Sequence, residues 1–166
     1  MIALVRVDNR LLHGQILETW VPRLHATGVV VADDDAAASP LARAAMTLAL
    51  PPGLPATVQA IGEVDWAGLA ASAEPVVVLV REVADLTRAA AAGLTPARAR
   101  RLNLGNVHYA QGRWPVTPSV FLSEAEVGQV LALARAGFEV EARAIPADAP
   151  VGAVEIERRY KAASQR

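Results

Sequence analysis

The sequence predicts an open α/β sheet, mainly parallel and twisted, with helices on both faces and an antiparallel strand at an edge. Two observations lead there. Short β-branched apolar runs alternate with longer stretches of helical period along the chain. One of those runs, Val76-Val77-Val78-Leu79-Val80, contains no polar residue, as a strand covered on both faces requires. At 166 residues, 53% of them hydrophobic and 20% charged, the chain is long enough for one self-sufficient core, and 1–166 is read as a single domain.

Ile2 to Val7 opens the pattern as a first strand, and 14–23 follows as a helix that Pro22 stops. Val29-Val30-Val31 is the second strand. The next helix runs from Ser39-Pro40 to Leu50, with serine at the N-cap and proline at the first helical position, and Pro51-Pro52-Gly53 ends it. Residues 57–61 form a third strand, 64–71 a short helix, 76–80 the fourth strand, and 82–92 a helix closed by Gly93. Arg101 to Leu104 leads into a glycine-containing loop over 105–112. Val120-Phe121-Leu122 is the next strand, and Ser123-Glu124-Ala125-Glu126 begins a capped helix that ends before Gly137. The alternation of 138–143 suits a half-exposed edge strand, and 155–161 forms a terminal helix, acidic at its start and basic at its end. In such sheets ligands bind at the carboxyl ends of the strands, which directs attention to the loops after strands one, two, four and five.

Composition excludes several functions. Without cysteine there is no disulfide framework, no thiolate nucleophile and no cysteine-bearing metal site. Sixteen Lys and Arg against 17 Asp and Glu give a net charge of -1, which argues against nucleic acid as a partner. No apolar run approaches the ~20 residues that span a bilayer, and Arg6 and Asp8 interrupt the place of a signal-peptide core, so a cytoplasmic location is expected. No Gly-x-Gly-x-x-Gly follows the first strand and no Gly-Lys-Ser/Thr occurs, which disfavours dinucleotide and Walker-type nucleotide sites.

The loop after the first strand, Arg6-Val7-Asp8-Asn9-Arg10-Leu11-Leu12-His13-Gly14-Gln15, is heavily loaded. Neutral imidazole is a nucleophile near neutral pH, so His13 suits a phosphoryl acceptor. Arg6 and Arg10 offer guanidinium forks for phosphoryl oxygens, Asp8 can orient the imidazole or an arginine, and Gly14 and Gln15 supply free amides at a helix start. Gly14 also permits close approach of the backbone. The plainer alternative leaves two surface arginines, a turn-capping aspartate and an ordinary loop histidine.

Other features compete. His108, in the loop after the fifth strand, opens on the same edge as His13, either supporting it or binding phosphoryl oxygens, or else simply packing against Tyr109. His25 falls at the opposite edge. Asp33-Asp34-Asp35 is the best rival, a carboxylate cluster suited to Mg²⁺ as in response-regulator receivers. That chemistry needs a lysine from a later strand, and the single lysine, Lys161, lies near the C-terminus; a helix dipole accounts for the acidic residues more simply. Trp20 suits the core or an interface, and Trp114, beside Arg113 and Pro115, suits an exposed loop that touches a partner.

Arg-x-Asp-x-Arg-Leu-x-His-Gly-Gln with Trp20 resembles the signature of the IIB component of the mannose/fructose/sorbose family of the bacterial sugar phosphotransferase system. The resemblance continues through 103–109, 119–123 and 137–140, and so covers nearly the whole chain. It implies that His13 takes a phosphoryl group from a IIA partner and passes it to a sugar entering through the membrane subunits IIC and IID, with which the chain would associate. It adds Arg6, Asp8 and Arg10 as companions of that histidine. No metal and no organic cofactor is expected. Two other readings stay open: a regulatory phosphorelay protein without transport, and a non-catalytic anion-binding module.

Overall fold

The computed structural model describes residues 1–165. β1 (Ile2–Asp8) leads into a helical stretch that opens at Gly14, widens to a π-helical turn over Ile16–Trp20 and closes in α1 (Val21–Arg23). Then follow β2 (Gly28–Ala32), α2 (Asp34–Ala38), α3 (Pro40–Leu48), β3 (Ala56–Gln59), α4 (Trp66–Ala71), β4 (Val76–Val80) and α5 (Val83–Ala91). The chain continues through β5 (Arg101–Asn106), β6 (Trp114–Thr117), β7 (Val120–Leu122), α6 (Glu124–Arg135), β8 (Glu139–Ala142), β9 (Val151–Gly152) and α7 (Ala153–Ser164).

Seven strands form one sheet in the order β3-β2-β4-β1-β5-β8-β9. All pair in parallel except β9, which runs antiparallel to β8 at the edge. Strand periodicity sends alternate side chains to opposite faces. Val5, Val7, Val78, Val80, Leu102 and Leu104 meet residues of α4, α5, α6 and α7 on one side. Leu4, Val29, Val31, Val77 and Leu79 meet Ile16, Trp20 and α3 on the other. Each fully buried Leu, Ile or Val contributes roughly 1.5–3 kcal/mol before conformational entropy is charged. Connections after β1 and β2 cross one face and those after β4 and β5 the other. A crevice therefore opens at the carboxyl end of β1, where the chain direction switches.

Local chemistry explains the element ends. Ser39 accepts from the Ala42 amide at 3.1 Å with Pro40 next to it, and Ser123 and Glu126 close a reciprocal capping box. The alanine-rich stretch before Ser39 forms its own helix, α2, because Asp33 caps it through the Ala36 amide at 2.7 Å. Three expectations are corrected. Residues 120–122 belong to a separate antiparallel hairpin with β6, tied to the main sheet region by a parallel bridge from Val120 to Val107. β8 lies one strand inside the edge. Its alternation reflects burial of Val140 and Ala142 on one face, while hydrogen-bond pairing with β5 and β9 decides its place in the sheet. Lastly, β5 runs on to Asn106 instead of ending at Leu104.

Candidate phosphoryl-transfer site

The site grows from the second-face positions of β1. Leu4, Arg6 and Asp8 share one parity, so Arg6 enters the layer between sheet and helix that Leu4 occupies one step earlier. Its guanidinium is fully buried. One nitrogen donates to Asn103 Oδ1 at 2.6 Å and to the Arg143 carbonyl at 3.3 Å, and the other donates to Asp8 Oδ2 at 3.0 Å. The cation lies 5.3 Å from the Trp20 ring centre, and Arg143 lies 5.2 Å from the same ring. Trp20 is anchored by its indole N–H on the Ala144 carbonyl at 3.0 Å.

A bulge in β5 makes room for this. Val7 pairs with Leu104 and Asp8 with Asn106, so Gly105 is the extra residue. The Arg6 guanidinium fills the space where a side chain on Gly105 would stand. The bulge also brings Asn106 opposite Asp8, and its amide donates to Asp8 Oδ1 at 3.3 Å.

Asp8 is the hub. Its Oδ2 meets His13 Nε2 at 3.1 Å as well as Arg6, while Oδ1 accepts from the Arg10 amide at 3.1 Å and lies 3.6 Å from Arg10 Nε. Burial pushes its carboxyl up, but the His13 hydrogen bond and the Arg6 charge outweigh that and hold it below the ordinary carboxylate range. Burial lowers the Arg6 guanidinium, against the opposing pull of Asp8. Leu11, buried and in the left-handed region at φ 54°, turns the chain so that its amide bonds the Asp8 carbonyl at 2.9 Å. His13 then stands at the mouth of the helix, its side chain 17% exposed, its carbonyl accepting from Ile16 and Leu17. Gly14 and Gln15 precede those first paired amides, so their N–H groups lie at the helix start beside the imidazole.

The predicted residues thus divide. Arg10 is half exposed at the rim and donates to Gln15 Oε1 at 3.3 Å. Arg6 lies beneath and offers no face to an incoming group, so it holds Asp8 and does not fork phosphoryl oxygens. His108 is nearby: its Nε2 lies 3.0 Å from Asn106 Nδ2. His25 terminates α1 far along the chain in a left-handed turn before β2. The rival acidic cluster is occupied otherwise: Asp33 makes two hydrogen bonds to Arg81, and Asp34 pairs with Arg88 and caps the Ile61 amide. Among the described residues no group of three His, Asp or Glu is placed to hold a metal ion.

Sequence reasoning missed Asn103, Gly105 and Asn106 as site residues, along with Asn9, Glu82 and Arg113. Arg113 is no exposed-loop residue but is 16% exposed and ion-paired to Glu82 and Glu126, and Trp114 lies in β6. The available signal for Asn103 was a polar residue at the buried parity of an apolar strand.

A parallel sheet with an anion-receptive helix mouth and a carboxylate-held imidazole at its switch point defines a class of α/β group-transfer domains. The chain matches the family model of the PTS system sorbose subfamily IIB component over residues 2–165, and it belongs to that family. It is 28% identical over 151 residues to the N-acetylgalactosamine-specific phosphotransferase enzyme IIB component 2 of Escherichia coli K12, covering 90% of this chain and 94% of that one. It is 26% identical over 155 residues to the mannose-specific EIIAB component of the same organism, 89% of this chain but only 46% of that protein, so it spans about half of that relative. Among solved structures it is similar to manxB from Thermoanaerobacter tengcongensis, with a TM-score of 0.83 at 27% identity and 96% of each chain covered. As a family member it is a transferase domain of sugar uptake. No described helix is long and apolar enough to cross a membrane.

Proposed function

We propose that His13 is the phosphoryl carrier, loaded by a phosphorylated IIA protein and discharged to a sugar at the membrane subunits IIC and IID on their cytoplasmic side. The observation that carries this is the Asp8 to His13 Nε2 contact at 3.1 Å. A carboxylate on Nε2 holds the proton there and leaves the Nδ1 lone pair as the nucleophile. Nδ1 attacks phosphorus, the phosphorus–nitrogen bond of the donor histidine breaks, and the donor imidazole keeps the electron pair. In the second step a sugar hydroxyl oxygen attacks, the bond to Nδ1 breaks, and the hydroxyl proton leaves to solvent. Arg10 and the Gly14 and Gln15 amides face the region where the phosphoryl oxygens gather charge. Chain 1–166 acts here as one domain, and its residues need no metal or organic cofactor for these steps. The test is incubation with a phosphorylated IIA protein, followed by detection of acid-labile phosphate. Wild type takes up label and His13→Ala takes up none; equal labelling of the variant would overturn the assignment.

A further inference from the structure

Three loops at the carboxyl edge are joined by side chains that the transfer chemistry leaves unused. Asn9, directly after β1, donates from Nδ2 to Glu82 Oε1 at 3.1 Å and to the Arg81 carbonyl at 2.8 Å, both directly after β4. Its Oδ1 accepts from the His108 amide at 2.6 Å, beyond β5. Arg113 donates to the His108 carbonyl at 3.0 Å and to Glu82 Oε2 at 2.9 Å. Asn9, Glu82, Arg113 and His108 therefore close a ring: each carboxylate oxygen of Glu82 is taken by a different ring member, and His108 is gripped through both its N–H and its C=O. Two further bonds to Glu126, at 2.6 and 3.0 Å, fasten Arg113 to the first turn of α6.

The ring has a route to the nucleophile. His108 Nε2 lies 3.0 Å from Asn106 Nδ2, and the same amide reaches Asp8 Oδ1. Asp8 in turn holds His13 through its other oxygen. A slip of the 106–113 loop shifts the Asn106 amide and releases one end of that carboxylate. We infer that the ring positions the His13 imidazole for transfer, with Arg113 as a positioning residue whose side chain touches neither His13 nor Asp8. This rests on His13 being the carrier.

The experiment is a double-mutant cycle on the rate of His13 phosphorylation by a phosphorylated IIA protein, in wild type, Asn9→Ala, Arg113→Ala and the double variant. A ring opens when any link is cut. Each single variant should therefore lower kcat about tenfold, with KM for the donor little changed, and the double variant should be no slower than the slower single one. Losses that multiply to about a hundredfold would show two independent contacts and overturn the ring. Amide exchange at His108 gives a second readout: it should speed up in Arg113→Ala, although Arg113 bonds the carbonyl and not that amide, and unchanged exchange would also overturn the ring. Arg113→Lys replaces the alanine variant if that fails to fold, since an ammonium facing Glu126 cannot span Glu82 and the His108 carbonyl as well. Wild type that takes no phosphoryl group would refute the carrier reading, while the exchange measurement would still decide the ring.

Discussion

Replacing Gly105 with alanine tests the most crowded point of the site. An added Cβ would lie 1.8 Å from Arg6 Cζ and 2.1 Å from each terminal nitrogen. Ordinary contact requires the guanidinium to withdraw by about 1.5 Å or more, since real Cβ contacts rarely fall below the overpacking range. It cannot withdraw without loosening its 3.0 Å bond to Asp8 and its 2.6 Å bond to Asn103, with Trp20 on its flank. Overpacking costs roughly 1–3 kcal/mol and breaking a buried ion pair roughly 3–5 kcal/mol. Because one displacement does both, we expect a loss of about 3–5 kcal/mol out of the ~5–15 kcal/mol that a domain holds. Equilibrium urea unfolding followed by circular dichroism measures it through the shift in midpoint. Gly128→Ala is the matched control: nothing lies within 4 Å of its added Cβ, and it sits in the interior of α6. Alanine there should stabilise by roughly 0.5–1 kcal/mol. A Gly105→Ala loss below about 1 kcal/mol would refute the reasoning that Arg6 is wedged against the bulge.

Asp8→Asn should destabilise by about 3–5 kcal/mol near neutral pH, because Arg6 is left buried without its carboxylate. The Asp8 carboxyl lies below its unfolded value, so its stabilising effect is complete above roughly pH 4 and fades as the pH falls through the folded value. The gap between variant and wild type should therefore close in acid, as stability curves between neutral and strongly acidic pH would show; a gap constant with pH would contradict it. Trp20→Phe keeps a ring against Arg6 and Arg143 but removes the indole N–H from the Ala144 carbonyl. A loss of about 1–2 kcal/mol in thermal or urea unfolding is expected.

The sheet was largely legible because β-branched runs report burial directly: 76–80 reads as a doubly covered strand, and β4 is central and buried. The loaded loop was legible because its charges are consecutive in the chain. What escaped was depth. Arg6 reads as a fork for phosphoryl oxygens until strand parity is applied, which sends it under the helix with Leu4. Gly105 reads as a loop glycine, since a bulge differs from a loop only in the pairing of the strand beside it. Glu82 and Arg113 are 31 residues apart and meet only after β4 and the hairpin loop are brought to one edge, which no local pattern records.

The π-helical turn over Ile16–Trp20 lies between the imidazole and the indole under its carboxylate. Within it the Val21 amide reaches back to the Ile16 carbonyl, winding in one residue more than an α-helical turn holds. That extra residue is a spacer, and its value lies in number instead of kind. Loss of one residue, even the exposed Glu18, would let the helix close with regular bonds but rotate all that follows by about 100°. Trp20 would then swing away from Arg6, and the histidine would keep its helix but lose the floor that sets its carboxylate. The stretch should accept substitutions at its outward positions far more readily than it accepts any change of length.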